Sequence, residues 1–252
     1  MTIDTHSHLL PGVDHGCPDL ATSLQMARAA WAVGTTTVVC TPHLLDWDPA
    51  LVSEARAALA QLRTALQSEG IPLRLLLGFE VDASVIADVD EAMLAALAIS
   101  DPEDGDDVAA VQRRPILVEA PFFGWPPFME ESLFRISVAG YVPILAHPER
   151  NERIQRSPEL LRACIRAGAI AQGTAGSMSG QFRRGSMRTF LDLLARGDLQ
   201  LLASDAHCQV DYTWSLQPLK DELSKRLTPE QLHLLTHVNP ERVLGGESPL
   251  PL

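Results

Sequence analysis

Six short apolar runs break at a histidine or an acidic residue: Thr2–His8 (TIDTHSH), Thr37–His43 (TVVCTPH), Leu75–Glu80 (LLLGFE), Ile116–Glu119 (ILVE), Ile144–His147 (ILAH) and Leu201–His207 (LLASDAH). Their length and their Val, Ile and Leu content suit buried strands, and each polar residue falls where such a strand would end. Ala169–Gly173 reads as one more strand with a polar ending. Between these runs the apolar positions change to helical spacing. Leu20, Leu24, Ala27 and Trp31 recur up to a helix stop at Gly34. Asp48-Pro49 supplies a cap and a first-turn proline for a helix through Ala50–Glu69, which stops at Gly70. Val81–Leu97 is helical but irregular, Met129–Ala139 stops at Gly140, Ser157-Pro158 opens a helix closing at Gly168, and Met187–Ala195 precedes a stop at Gly197.

Strand and helix thus alternate almost throughout, which is the βα pattern of a parallel sheet. About seven such units follow one another without a repeat or a linker, so residues 1–252 read as a single domain. Polar endings on so many strands must converge if they act together. The expected architecture is therefore an α/β, TIM-like barrel, distorted and one unit short of the usual eight, rather than an open doubly wound sheet.

One histidine after one strand means little. Six endings that bring His6, His8, His43, Glu80, Glu119, His147, Asp205 and His207 to the same edge of a sheet point to a metal centre. A catalytic zinc commonly takes three protein ligands, so this set suits two or three ions. Imidazole and carboxylate without thiolate favour manganese, iron or zinc over calcium. Clustered ions of this kind generate hydroxide near neutral pH and stabilise both oxygens of an in-line phosphoryl displacement, which favours hydrolysis. No GxSxG elbow, P-loop, GxGxxG or Cys-x5-Arg loop competes with that reading. Arg150 stands three residues past His147, where its fork could hold a phosphate. Asp14 and His15 lie on the tight loop Leu9–Gly16 beside the first ligands, and the aromatic loop Pro121–Phe128 follows the Glu119 strand. That loop is a candidate wall for an aromatic substrate. The acidic stretch Asp101–Asp107 reads as a solvated loop.

Composition narrows the classes. Hydrophobic residues at 46% and charged residues at 21% describe a globular chain. A net charge of -12 argues against a duplex nucleic-acid groove, which needs Lys and Arg to neutralise phosphates. Cys17, Cys40, Cys164 and Cys208 have no thiolate-zinc spacing and are expected to be reduced. With no apolar run of membrane length and a start that reads as a strand carrying ligands, the expectation is a cytoplasmic protein that does not insert into membranes.

Taken together, HxH, LPGxD, TPH, GxE, a strand-terminal Glu, AHPER and SDAH, in that order, resemble the PHP (polymerase and histidinol phosphatase) superfamily. His6–Asp14 (HSHLLPGVD), His147–Arg150 (HPER) and Ser204–His207 (SDAH) resemble more closely its bacterial manganese-dependent protein-tyrosine phosphatases of capsule and exopolysaccharide synthesis. The resemblance implies a distorted (β/α)7 barrel holding three metals, manganese foremost, on the eight ligands named above. It implies that Arg150 binds phosphate and assists the leaving group, with Asp14 as a nearby acidic catalytic partner; His15, from its place on the same loop, is a candidate substrate contact. The substrate would be a phosphotyrosine protein, with a bacterial tyrosine kinase as a candidate. Two departures stand out: Asp14-His15-Gly16 replaces the family's Asp-Asp-Gly, and Cys208–Tyr212 (CQVDY) lacks the basic residue that usually follows SDAH. The competing readings are a phosphatase of a small monoester such as histidinol phosphate and a non-catalytic partner-binding domain. The second would tend to lose ligands, and this chain keeps them all.

Overall fold

The computed structural model describes residues 1–104, 113–178, 182, 184–208 and 216–252. Its strands are β1 (Thr2–Ser7), β2 (Thr35–Cys40), β3 (His43–Leu44), β4 (Arg74–Leu77), β5 (Glu80–Asp82), β6 (Pro115–Glu119), β7 (Val142–Ala146), β8 (Ile170–Thr174) and β9 (Leu201–Ala203). Every strand pairing is parallel. The strands form two sheets, in the orders β1-β2-β4 and β3-β5-β6-β7-β8-β9. The alternation of strand and helix expected from the sequence is present.

Two runs expected to be single strands are each divided. Pro42 lacks an N–H and interrupts the ladder between β2 and β3. Its carbonyl still accepts the Glu80 N–H at 3.1 Å, and the Gly78 N–H donates to the Cys40 carbonyl at 2.9 Å, so backbone bonds carry the chain from one sheet to the other. Gly78 sits where a Cβ would lie 2.6 Å from Ile99 Cγ1. Only glycine lets the chain pass there, and Glu80 consequently opens β5 instead of closing β4. The last run also ends early. Asp4 Oδ1 takes the Ser204 N–H at 2.9 Å, and Asp205 turns away at φ 52°. Beyond that turn, the Asp205 N–H donates to the His6 carbonyl and the His8 N–H to the Ala206 carbonyl, both at 2.9 Å. The end of β9 therefore lies against the end of β1.

Helices cover the outside. α1 (Leu20–Ala32) is capped by Asp19, and the chain leaves it through Gly34 at φ 87°. α2 (Pro49–Ser68) is capped by Asp48, whose Oδ1 accepts the Ala50 N–H at 2.8 Å. The irregular stretch after Glu80 resolves into β5 and two short helices, Ala83–Ala87 and Glu91–Leu97, capped by Asp82 and Asp90. The acidic loop opens with a single turn, Pro102–Asp104, and its remainder lies outside the described residues. On β6 the fully buried Ile116 and Val118 join a large apolar cluster with Leu59 and Leu62 of α2 and Met26 of α1. Leu117, between them, joins Ile144, Ile170 and Leu201 in a separate cluster. Neighbouring strand residues point to opposite faces, so this sheet is dry on both, as parallel sheets require. Burial of each such side chain contributes about 1.5–3 kcal/mol. Among the described residues, no helix is long and apolar enough to cross a membrane.

Candidate metal centre

All eight anticipated ligands are brought into one cluster. His6 lies in β1 and His8 just past it, two residues apart and so on the same face. His43 starts β3, Glu80 starts β5, Glu119 ends β6, and His147 follows β7 directly. Asp205 and His207 come after β9. His147 and Asp205 have φ of 30° and 52°, conformations that cost a non-glycine residue about 1–3 kcal/mol and are retained where the surroundings over-determine them.

Glu80 and Asp205 are the hub. Glu80 Oε2 lies 3.2 Å from both His6 Nε2 and His8 Nε2, and 3.1 Å from His43 Nδ1. Asp205 Oδ1 lies 3.3 Å from His6 Nε2 and 3.2 Å from His8 Nε2. His147 Nε2 approaches the other oxygen of Glu80 at 2.7 Å and Glu119 Oε1 at 3.5 Å. Three ligand groups result, each with its donor atoms within 4.8 Å of one another: His6, His8, Glu80 and Asp205; His43, Glu80 and Glu119; and His8, His43 and His207.

The donors fit a cation and little else. His6 Nδ1–H donates outward to Gln172 Oε1 at 3.0 Å, and His8 Nδ1–H to Asp14 Oδ2 at 2.6 Å. Once deprotonated, each ring would turn a lone pair inward on Nε2, and the two Nε2 atoms stand only 3.3 Å apart. Between them Glu80 Oε2 is buried and makes no regular hydrogen bond, as does His43 Nδ1 nearby. Ring nitrogens and carboxylate oxygens crowded this closely require positive charge among them, which protons on His6 and His8 supply in the absence of an ion and a bound cation would replace.

The local electrostatics agree. Burial would raise the carboxyl pKa of Asp205, but Arg150 and His6 outweigh it and hold the group well below the usual range. Burial likewise opposes ionisation of Glu80, and His6 and His147 overcome it. Glu119 takes the other course: burial, then the charges of Glu80 and Asp205, push it up to about 9. Burial lowers His43 to about 4, and burial with the neighbouring His8 lowers His207 to about 3. Both rings are therefore neutral and able to ligate near neutral pH.

Arg150 is fixed on three sides. One Nη2 donates to Asp205 Oδ2 at 2.6 Å and to Thr174 Oγ1 at 2.8 Å, while the guanidinium carbon sits 3.7 Å from the centre of the Phe182 ring. Its Nε is buried and makes no hydrogen bond to the described residues. Glu149 props the same loop from behind, its Oε1 accepting from Ser177 Oγ at 2.6 Å and the Thr174 N–H at 3.1 Å. Arg150, His43, Glu119, His147, Asp205 and His207 open onto a cavity of about 610 Å3. His15 lines it too, stacked on His43 at 4.9 Å and 9°. Asp14 also touches the cavity, but its carboxylate is committed: besides His8 it accepts the N–H groups of Gly16 at 2.8 Å and His43 at 3.1 Å. Although burial works against the charge, His8 and these N–H groups keep Asp14 ionised far below the ordinary range. It is thus placed to orient ligands, and it has no proton to give.

Of the aromatic loop, Phe122 lines the cavity and lies 5.9 Å from His147, ring to ring. Phe123 is 72% exposed, and Trp125 packs on the apolar core. Leu45, Leu51, Asp46 and Asp48 complete the rim. Cys208 is half-buried, belongs to none of the ligand groups and donates its N–H to Gly16, while the segment 209–212 lies outside the described residues. Sequence reasoning missed Gln172, Thr174 and Asp4. The available signal was a polar residue inside an apolar strand, as at Gln172 in IAQGT and Asp4 in TIDT.

Comparison with known proteins agrees with this geometry. The model of the capsular polysaccharide synthesis family CpsB/CapC matches residues 2–245. The chain is 34% identical over 250 residues to tyrosine-protein phosphatase YwqE of Bacillus subtilis (strain 168), covering 98% of this chain and 92% of that protein. A solved structure described with YwqE from Bacillus subtilis and CpsB from Streptococcus pneumoniae as metal-dependent tyrosine phosphatases superposes with a TM-score of 0.82 at 32% identity, covering 99% of each chain. An organophosphorus hydrolase mutant from Deinococcus radiodurans shares the fold alone, at a TM-score of 0.56 and 17% identity over 96% of this chain and 92% of that one. The chain's match to the family model over residues 2–245, which include the clustered His, Glu and Asp, makes this protein a member of the CpsB/CapC family.

Proposed function

We propose that this protein is a metal-dependent protein-tyrosine phosphatase, a phosphoric monoester hydrolase built as one distorted (β/α)7 barrel over residues 1–252. The observation that carries the reading is the convergence of imidazole lone pairs and ionised carboxylates beside a cavity into which Arg150 is fixed. The backbone bonds from Asp205 to His6 and from Glu80 to Pro42 support the barrel, because the first joins the edge strands β9 and β1 and the second ties the start of β5 to the chain leaving β2. The names of YwqE and of its solved relatives support phosphotyrosine as the ester.

His6, His8, Glu80 and Asp205 would hold one ion and His147, Glu119 and the shared Glu80 a second, which leaves His43 and His207 for a third. When bound, such ions lower the pKa of water and neutralise charge on phosphoryl oxygens. We assign manganese, on the family resemblance, with iron and zinc also suited to these donors. Arg150 grips the phosphoryl group: Asp205 and Thr174 fix its Nη2 at the cavity wall, and the fork keeps further donors for a phosphoryl oxygen. Asp14 keeps the outer nitrogen of His8 protonated so that the inner one can ligate. Phe122 and the rim leucines wall the phenyl ring, and His15 stands where it contacts the ester. A tyrosine phenol, with a pKa of about 10, departs with little proton assistance, which suits a site whose permanent cation, Arg150, is a poor acid. The physiological substrate is then a phosphotyrosine protein in the cytoplasm, with a bacterial tyrosine kinase as the candidate. The net charge of -12 weighs against nucleic acid.

Chelation followed by reconstitution tests this reading. Elemental analysis is expected to find two to three ions per chain, and phosphotyrosine hydrolysis should vanish with their removal and return with manganese. A folded, reconstituted protein that holds no metal would overturn it.

A further inference from the structure

We infer that Gln172 is a positioning residue of the metal centre: its carboxamide oxygen holds the Nδ1–H of His6, so that Nε2 presents its lone pair to an ion. This inference rests on the metal-centre reading and extends it to β8, a strand that supplies none of the eight ligands. Gln172 is fully buried. Its neighbours in register are Ala146 of β7 and Leu201 of β9, so the amide stands in an otherwise apolar layer. A leucine there would avoid the cost of desolvating an amide. The amide is retained with both ends in use: Oε1 meets His6 Nδ1 at 3.0 Å, and Nε2 donates to the buried Thr5 Oγ1 at 2.8 Å. β1 and β8 are not paired in either sheet, so the contact is made by these side chains and not by the ladder.

The orientation decides the chemistry. If the amide were turned to donate to Nδ1, the ring proton would move to Nε2. His6 could then only donate to Glu80 Oε2 and Asp205 Oδ1, at 3.2 and 3.3 Å, and could not ligate. With Oε1 toward the ring, Thr5 accepts the amide N–H, so both ends of the carboxamide are satisfied in this orientation. Asp14 does the equivalent for His8 with a carboxylate. The two inner imidazoles are thus set by one neutral and one charged acceptor.

Gln172→Leu removes the acceptor, and Gln172→Glu keeps it while ruling out donation. Metal affinity of the stripped protein, measured calorimetrically with Zn2+ and Mn2+, is expected to fall about 10–100-fold in Gln172→Leu and to stay within about threefold of wild type in Gln172→Glu. Unfolding by urea in chelator should give the opposite order, since Glu buries a charge and Leu does not. A purely structural role would make both orders the same. Gln172→Met, similar in volume and lacking an acceptor, replaces Leu if that variant does not fold. Nitrogen-15 spectra of zinc-loaded wild type should place the His6 proton on Nδ1. Wild-type affinity in the Leu or Met variant, or equal loss in Glu and Leu, would overturn the role of Gln172 alone. Absence of metal binding by wild type would instead defeat the reading beneath it.

Discussion

The inner cluster and the outer rim of the cavity are built on different terms. His6, His8, Glu80 and Asp205 are all at least 97% buried, and each inner histidine is tethered through its far nitrogen. Phe122, Leu45, Asp46 and Asp48 form a rim of exposed side chains with few partners among the described residues, Asp48 serving chiefly as a helix cap. The contrast assigns the tasks. Ligands must be held within fractions of an ångström to share ions, so they are rooted in strand ends, whereas the choice of ester is left to loops that can vary without disturbing the ions. Breaking the inner cluster should therefore abolish chemistry, and altering the rim should adjust it.

The largest effect is expected from the shared ligands. Glu80→Gln or His147→Ala should lower kcat/KM by at least about a thousandfold, ~4 kcal/mol of transition-state stabilisation, with the circular dichroism spectrum largely unchanged. Retained activity in either variant would remove that residue from the centre. Arg150→Lys comes next. The substitution keeps the charge but loses the fork that reaches Asp205, Thr174 and the substrate together, so a loss of about tenfold or more, ~1.4 kcal/mol, is expected in steady-state assays.

A pH dependence separates the cluster from the rim more finely. Without ions, Glu119 keeps its proton up to about pH 9, because of burial and then of Glu80 and Asp205. His8 is also held protonated, its carboxylate neighbours outweighing burial. Metal binding must expel these protons, so affinity rises with pH through the neutral range and levels off above about 9. His43 and His207, lowered to about 4 and about 3, are already deprotonated there and add no slope. Calorimetry in buffers of different ionisation enthalpy reads the proton release directly, and Glu119→Gln should reduce it. A pH-independent affinity would contradict this assignment.

Rim substitutions should act least. Phe122→Ala is expected to raise KM for aryl phosphates about three- to tenfold with kcat nearly intact, the signature of lost uniform binding. His15→Ala should slow a serine ester more than a tyrosine ester, because the alkoxide depends more on a proton donor. An equal effect on both esters would leave His15 as a contact only.

The sequence made the inner cluster legible because every ligand stands at the end of an apolar run, a position that local pattern reveals. What it concealed was tertiary. Nothing near Glu80 in sequence shows that Gly78 must clear Ile99 or that Pro42 splits the preceding strand, so Glu80 was expected at the end of a strand and begins one. Gln172 and Thr174 meet His6 and Arg150 from distant strands, through contacts no spacing encodes. The family resemblance implies Asp14 as a nearby acidic catalytic partner of Arg150. Its three hydrogen-bond donors, two of them backbone N–H groups, turn it instead into a fixed acceptor. The aromatic loop illustrates the same limit, since only the fold distinguishes Phe122 in the cavity from Phe123 in solvent and Trp125 on the core.

The most direct test compares phosphotyrosine and phosphoserine in peptides of one sequence, using manganese-reconstituted protein. A cluster that supplies charge stabilisation but little proton donation should prefer the tyrosine ester in kcat/KM by at least about a hundredfold, ~2.7 kcal/mol. Equal rates on the two peptides would contradict the tyrosine phosphatase assignment and point to a small alkyl ester such as histidinol phosphate.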